Sequence, residues 1–428
     1  MQNRNNSNIN ECKFSIHRTT LANGIVLLIA ENPIADIIAA KIFVRAGSCY
    51  ENPEKAGLAN LLSAVMTKGC DGFSSLEIAE KVESVGANLS IDASTDYFLL
   101  SLKTVSADFA EILALSGLLL KSPTFPEKQI ELEKRLAVQD LRSQKEQPFN
   151  LAFQQIRQAM YQNHPYARSV LGTEESIHSI NYKDLVEFHQ NHFRPDNIVI
   201  SIAGRMTAKT AIEVVTEVFG DWPLPNTARH VLDLPKISIA PKSCLQPLNT
   251  QQSIIMLGYM GSSINSPAYP ALKLLSTYLG NGLSSRLFVE LREKRGLAYE
   301  ISAIYSTRPY PASFIVYMGT APENTSRAIK ELGQEIERLS QIELSPEELQ
   351  TAKNKILGHY ALGKQTNGQI ANIYGWYEIL GLGIEFDHEF PQLINQVSPE
   401  LAITVANSYL KTPYLSLVGP AEAITLSN

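Results

Sequence analysis

The residues able to do chemistry are few and scattered. Of the eight histidines in 428 residues, only His189 and His192 fall close enough to share a face. They lie three apart at the end of a helix expected over 182–192, a spacing with which two imidazoles can begin a zinc site. Such a site needs at least three protein ligands, and neither a cysteine nor another ligand accompanies them. A solvated pair at a helix C-terminus, where the dipole favours positive charge, is therefore the expectation. His17, His164, His178, His230, His359 and His388 form no pattern. Cys12, Cys49, Cys70 and Cys244 make no CxxC pair and read as reduced thiols. No Ser/His/Asp or Cys/His arrangement is legible, although such triads are set by geometry and not by order. There is no Walker P-loop. Gly280-Asn281-Gly282 opens like a dinucleotide fingerprint, but Ser285 stands where its third glycine belongs and a helix precedes it in place of a strand.

The bulk numbers narrow the class. With 44% hydrophobic and 19% charged residues the chain is globular and not disordered, and its length points to two or three domains. The formal net charge is −6, and no run of Lys or Arg is long enough to mark a nucleic-acid or membrane-surface site. Met1 to Glu11 is polar and Asn-rich, lacks the apolar core of a signal peptide, and is expected to be a flexible tail over 1–12. The longest apolar stretch, around 112–120, is too short to span a bilayer, so a cytoplasmic protein is expected.

The elements repeat. Pro223, Pro225, Pro235, Pro241 and Pro247 crowd one window, which predicts an extended, irregular linker over 223–248. Before it, strands are expected over 25–30 and 37–44, helices over 55–67 and after Ser74-Ser75, strands over 87–92 and 97–104, and helices over 107–120 and 127–147. After it come a strand over 253–260, helices over 269–279 and 285–294, strands over 299–305 and 314–319, and helices over 326–341 and 345–362. The order is the same twice, and helix entries match at Phe125-Pro126-Glu127 and Leu344-Ser345-Pro346-Glu347, where proline and acids suit a helix start. Neither half alternates βαβα. The expectation is an α+β fold of two tandem homologous domains, 13–222 and 249–428, each a mixed, mostly antiparallel sheet with helices packed on one side.

This order, with several short motifs, resembles the pitrilysin and mitochondrial-processing-peptidase family over about 13–417. Gly24-Ile25, Val44-Arg45-Ala46-Gly47-Ser48, His164-Pro165-Tyr166 and Arg194-Pro195-Asp196-Asn197 match weakly. Ser284-Ser285-Arg286-Leu287-Phe288 followed by Leu291-Arg292-Glu293-Lys294-Arg295-Gly296-Leu297-Ala298-Tyr299 is the most specific match. Active members carry H-x-x-E-H on the first apolar helix, two imidazoles for zinc with a glutamate base between them, and a later glutamate ligand. Here Asn60 stands at the first histidine, Ser63 at the glutamate, Ala64 at the second histidine and Asp140 at the later ligand. Alanine has no ligand atom, Asn and Ser are poor zinc ligands, and one aspartate does not hold zinc tightly. No metal is expected on this chain.

Arg292 and Tyr299, by contrast, stand at the positions that the resemblance assigns to substrate binding and oxyanion stabilisation. The resemblance thus implies the zinc-less subunit of a heterodimeric metallopeptidase: zinc in a homologous partner, Arg292 and Tyr299 supplied by this chain, and an unfolded peptide held between them. The long glycine-rich loop of the mitochondrial zinc-less subunit is not matched, since the equivalent turn has only Gly280 and Gly282, and the chain is more similar to the compact bacterial or organellar pairs. Two other readings compete. One is a structural scaffold within a larger complex; the other is a peptide-binding homodimer without peptidase activity.

Overall fold

A computed structural model describes residues 15–425; the tail expected over 1–12, with Cys12, lies outside the described residues. The first half contributes β1 (Ile16–Thr20), β2 (Val26–Glu31), β3 (Ile37–Val44), a small hairpin of β4 (Gly69–Cys70) and β5 (Phe73–Ser74), β6 (Asn88–Ala93), β7 (Phe98–Val105) and β8 (Ile198–Gly204). Its helices are α1 (Leu58–Met66), α2 (Ser75–Ser84), α3 (Phe109–Lys121), α4 (Glu127–Lys145), α5 (Pro148–Tyr161), α6 (Glu174–Ser179), α7 (Tyr182–His192) and α8 (Ala208–Phe219). The second half contributes β9 (Ser243–Pro247), β10 (Ser253–Met260), β11 (Glu300–Tyr305), β12 (Ser313–Thr320) and β13 (Tyr414–Gly419). Its helices are α9 (Tyr269–Gly280), α10 (Thr325–Gln341), α11 (Pro346–Leu362), α12 (Asn367–Ile379), α13 (Phe386–Gln396), α14 (Pro399–Tyr409) and α15 (Ala421–Thr425).

The two sheets are copies of one plan. The first runs β1-β2-β8-β3-β7-β6 and the second β11-β12-β10-β13-β9, so β2, β8, β3, β7 and β6 correspond to β9, β13, β10, β12 and β11. The pairing agrees strand by strand: β2–β8 and β13–β9 are parallel, and the other pairs of the two sheets are antiparallel. The expected mixed, mostly antiparallel sheets are thus present. One difference is β9, which lies inside the span expected to be irregular. Pro241 and Pro247 bracket it, and an edge strand tolerates proline at its end.

Strand periodicity divides each sheet between two cores. In the first sheet Leu27, Ile29, Ile38, Ala40, Ile42, Ile200 and Ile202 face helices of their own half. The alternate residues Leu28, Ala30, Phe43, Val199 and Ala203 join the core of the second half. That is because α12 crosses over and lies on β3 and β8. The exchange is reciprocal. On the second sheet Ile255, Leu257 and Tyr259 face their own helices, while Ile254, Met256 and Met260 pack on α5 from the first half. Every residue of β8 and of β10 is consequently buried, as expected for strands covered on both faces.

Polar contacts fasten the exchanged helices. Arg18 holds Glu378 through two bonds of 3.1 and 2.8 Å, and Asn32 donates to Asn367 at 2.7 Å. On the other side Gln155 donates to Gln246 at 2.6 Å and accepts from Ser416 at 2.9 Å. Close approach of α12 depends on Gly375, where an added Cβ would sit 2.4 Å from the buried Phe43 ring and 3.0 Å from Ser201 Cβ. Gly375→Val should therefore destabilise the chain by about 2 kcal/mol or more, measured by urea unfolding. Gly333→Ala in α10 has open space around it and should be neutral or slightly stabilising.

Candidate functional site

The helix at the position of the zinc motif is intact as structure. Gly57, at φ +95°, starts α1, and a Cβ there would stand 2.7 Å from Leu171 O. The buried Glu51 carboxylate accepts from the amides of Gly57 at 3.1 Å and Ala59 at 2.7 Å, two of the donors that a helix start leaves unpaired. Burial pushes this carboxyl up to about 8. α1 packs on α4, and Lys68 of the chain just beyond α1 reaches Glu133 of α4 at 3.2 Å. On this frame Asn60 and Ala64 are half-buried and Asp140 is exposed, while Ser63 is buried with its hydroxyl bonded to Asn60 O at 2.8 Å. Among the described residues no three His, Cys, Asp or Glu side chains converge as a metal site.

The histidine pair differs from its expectation. His189 and His192 are buried, not solvated. His189 Nε2 lies 2.9 Å from Leu120 O and its ring stacks on Phe193, while His192 packs against Phe188 and Tyr50. Burial pushes both down to about 4, so both are neutral core residues. The end of α7 is covered by Leu120 and Phe125 over His189 and by Tyr50 and His230 over His192.

Arg292 and Tyr299 lie in the other half, at the start of the free edge strand β11. The segment expected as a helix over 285–294 widens into a π-helical stretch, Phe288–Lys294, anchored by the fully buried Leu291. Such wide turns occur often at functional sites. Gly296, at φ +61°, reverses the chain, Leu297 and Ala298 are buried, and Tyr299 donates its amide to Gly319 O at 2.9 Å. The neighbouring cations are all paired. Arg286 and Arg295 both hold the buried Glu335, at 2.8 and 3.0 Å, Arg295 also holds Glu331 at 2.9 Å, and Lys294 holds Glu290 at 2.7 Å. Arg292 is the exception. Its exposed guanidinium touches the Phe288 ring at 4.8 Å and makes no ion pair or hydrogen bond among the described residues. Tyr299 is 59% exposed, and its hydroxyl has no partner among them either. The chain does not bridge this pair to α1 or α4.

A polar cluster between the halves was not visible in the sequence. Asp96, in the turn after edge strand β6, accepts from Tyr166 at 2.6 Å and from Arg308, beyond the end of edge strand β11, at 3.3 Å. Arg308 also lies 4.3 Å from the Tyr166 ring. Asp96 and Arg308 are 212 positions apart, and nothing in local spacing signals the pair.

Comparison with known proteins identifies the family and the fold. A family model described as insulinase, peptidase family M16, matches residues 26–174, and one described as the peptidase M16 inactive domain matches residues 179–356. A zinc protease of Bacillus subtilis is 25% identical over 407 residues, covering 95% of this chain and 98% of its own. A zinc protease of Rickettsia bellii is 23% identical over 410 residues, covering 95% and 98%. Among solved structures, a peptidase M16 inactive domain from Pseudomonas fluorescens superposes with a TM-score of 0.88 at 23% identity, covering 95% of this chain and 98% of its own. A protease from Helicobacter pylori gives 0.89 at 21% identity, covering 95% and 100%.

Two outcomes test this description. Glu335→Gln weakens the clamp on the Arg286–Arg295 turn and should lower stability by about 2 kcal/mol, a discounted value because both arginines are partly exposed. Urea unfolding reads it. The pH dependence follows from the buried groups. His164, His189 and His192, pushed down to about 4 from the ordinary 6.5, contribute stability that is full above 6.5 and is lost as pH falls toward 4. Glu51, raised to about 8 from 4.5, contributes stability that is lost as pH rises from 4.5 through 8. Unfolding midpoints should therefore fall below pH 6.5, and Glu51→Gln should flatten the alkaline decline.

Proposed function

The chain belongs to peptidase family M16, and from that premise we propose that it is the non-catalytic, zinc-less subunit of a heterodimeric metallopeptidase. The observation that carries this reading is the contrast at the β11 edge: Arg286, Lys294 and Arg295 are all paired within the chain, whereas Arg292 and the Tyr299 hydroxyl are exposed and free among the described residues. A well-buttressed turn that presents one unpaired guanidinium and one phenol suits a task outside the chain. A guanidinium offers fixed donors, and a phenol donates without carrying charge, so both stabilise negative charge that develops on a peptide carbonyl during hydrolysis.

Zinc and its activated water would come from a homologous partner, because Asn60, Ser63, Ala64 and Asp140 supply neither a ligand set nor a base. The unpaired edges of β6 and β11 suit an unfolded peptide lying as an added strand, held by main-chain bonds with little sequence selection. No helix among the described residues is long and apolar enough to cross a membrane, and a cytoplasmic location is part of the proposal.

In a mixture with its zinc-bearing partner, the wild-type chain should raise peptide hydrolysis while binding no stoichiometric zinc itself. Arg292→Ala or Tyr299→Phe should lower the activity of the pair by about one to three orders of magnitude, the range of a lost oxyanion donor. Wild-type activity in both variants would instead favour a scaffold or a peptide-binding homodimer.

A further inference from the structure

A second unpaired cation, Arg157, lies on α5 of the first half. On α5, Phe149, Phe153 and Arg157 recur every four residues and share one face. The stripe begins beside the start of β11: Phe149 meets Tyr317 at 4.9 Å, and Tyr317 bonds Glu300, the first residue of β11, at 2.9 Å. Phe153 stacks on Phe149 at 6.2 Å, and the Arg157 guanidinium follows at 5.9 Å from the Phe153 ring. Arg157 also feels the repulsion of Arg308, which stands three residues past Tyr305, the last residue of β11. The aromatic face of α5 thus meets β12 at Tyr317, beside the start of β11, and leads from there to Arg157.

That arginine end has too few anions. Arg157 makes no hydrogen bond or ion pair among the described residues, and its buried Nε is unpartnered. Arg168, close enough to act on His164 together with Arg308, has an equally unpartnered Nε and a single bond, to the Glu51 backbone at 3.3 Å. Asp96 balances Arg308 alone. Glu51, pushed up to about 8, offers little negative charge at neutral pH. A partly buried guanidinium without a counter-ion is costly, and the cost is removed when an anion arrives. Arg157 remains half-exposed, so an anion can reach it.

We propose that Arg157, supported by Arg168 and Arg308, binds a carboxylate of the peptide that lies along β11, either an acidic side chain or the free C-terminus. This rests on the peptide-binding reading above and adds a substrate class to it: peptides with an anionic group several residues from the bond nearest Arg292 and Tyr299. Burial and repulsion by Arg308 push the Arg157 guanidinium down to about 10, in keeping with a missing partner.

The test uses the full chain alone, without the zinc partner, so that its failure and the failure of the activation experiment are separate results. Three dye-labelled, unstructured peptides of one neutral sequence are compared by fluorescence anisotropy: one with a free C-terminal carboxylate, one amidated with a single internal Asp, and one amidated with Asn in its place. The free-end or the Asp peptide should bind at least about tenfold more tightly than the Asn peptide, and whichever does identifies the source of the carboxylate. Arg157→Gln should abolish that advantage and leave the Asn peptide unchanged, while Arg157→Lys keeps part of it. The melting temperature of Arg157→Gln should be unchanged or raised, because an unpaired charge is removed. Equal binding of all three peptides, no binding of any, equal weakening of all by Arg157→Gln, or a lowered melting temperature would overturn the proposal.

Discussion

The structure depends on an exchange of two helices. Each half builds a sheet with two apolar faces, and its own helices cover only one of them. The second face must be buried by something, because an exposed apolar sheet face of this size is unstable in water. α12 covers the first sheet and α5 covers the second, so neither half has a complete core without the other. The relative placement of the halves is therefore set by two packed interfaces, pinned at Gly375 and at the Arg18–Glu378 and Gln155–Gln246 contacts. Everything at the rim of the molecule inherits this geometry. It brings the ends of the free strands β6 and β11 together at Asp96 and Arg308, and it sets the aromatic face of α5 against Tyr317 of β12.

Such a frame holds its fold whether or not its helices carry chemistry. α1 persists because its reasons for existing are structural: Leu58, Leu61, Leu62, Val65 and Met66 are buried, and Glu51 satisfies its first amides. Nothing in that list needs a metal. Asn60 and Ala64, which the resemblance sets at the histidine positions, are only half-buried, so substitution there costs the core little. In the second half the turn beside Arg292 is held by a network of charged pairs around Glu335, Glu331 and Glu290, and Arg292 itself stays unpaired among the described residues.

The repeated order of elements was legible in the sequence, because strand and helix periods are local and the helix starts carry capping residues such as Ser74 and Ser345. The helix over 182–192 was placed to the residue, and most boundaries moved by one or two positions. What the sequence did not disclose is long-range. The helix exchange joins residues such as Asn32 and Asn367, separated by 335 positions, and no local pattern encodes it. His189 and His192 looked like a solvated end because Tyr50, Leu120 and Phe125, which cover it, lie far back in the chain. The departures from the zinc motif that the resemblance implies could be read from residue types alone, whereas the unpaired state of Arg292 and of Arg157 emerged only from the placement of the charges around them.

The central claim is a division of labour between two chains, and the most direct measurement is a titration. A fixed amount of the zinc-bearing homologous subunit is mixed with increasing amounts of this chain, and the peptide hydrolysis rate and the zinc content of the isolated complex are recorded together. The rate should rise from near background and saturate at equal amounts of the two chains, with one zinc per pair. A zinc subunit that is fully active without this chain, or a rate unchanged across the titration, would contradict the account.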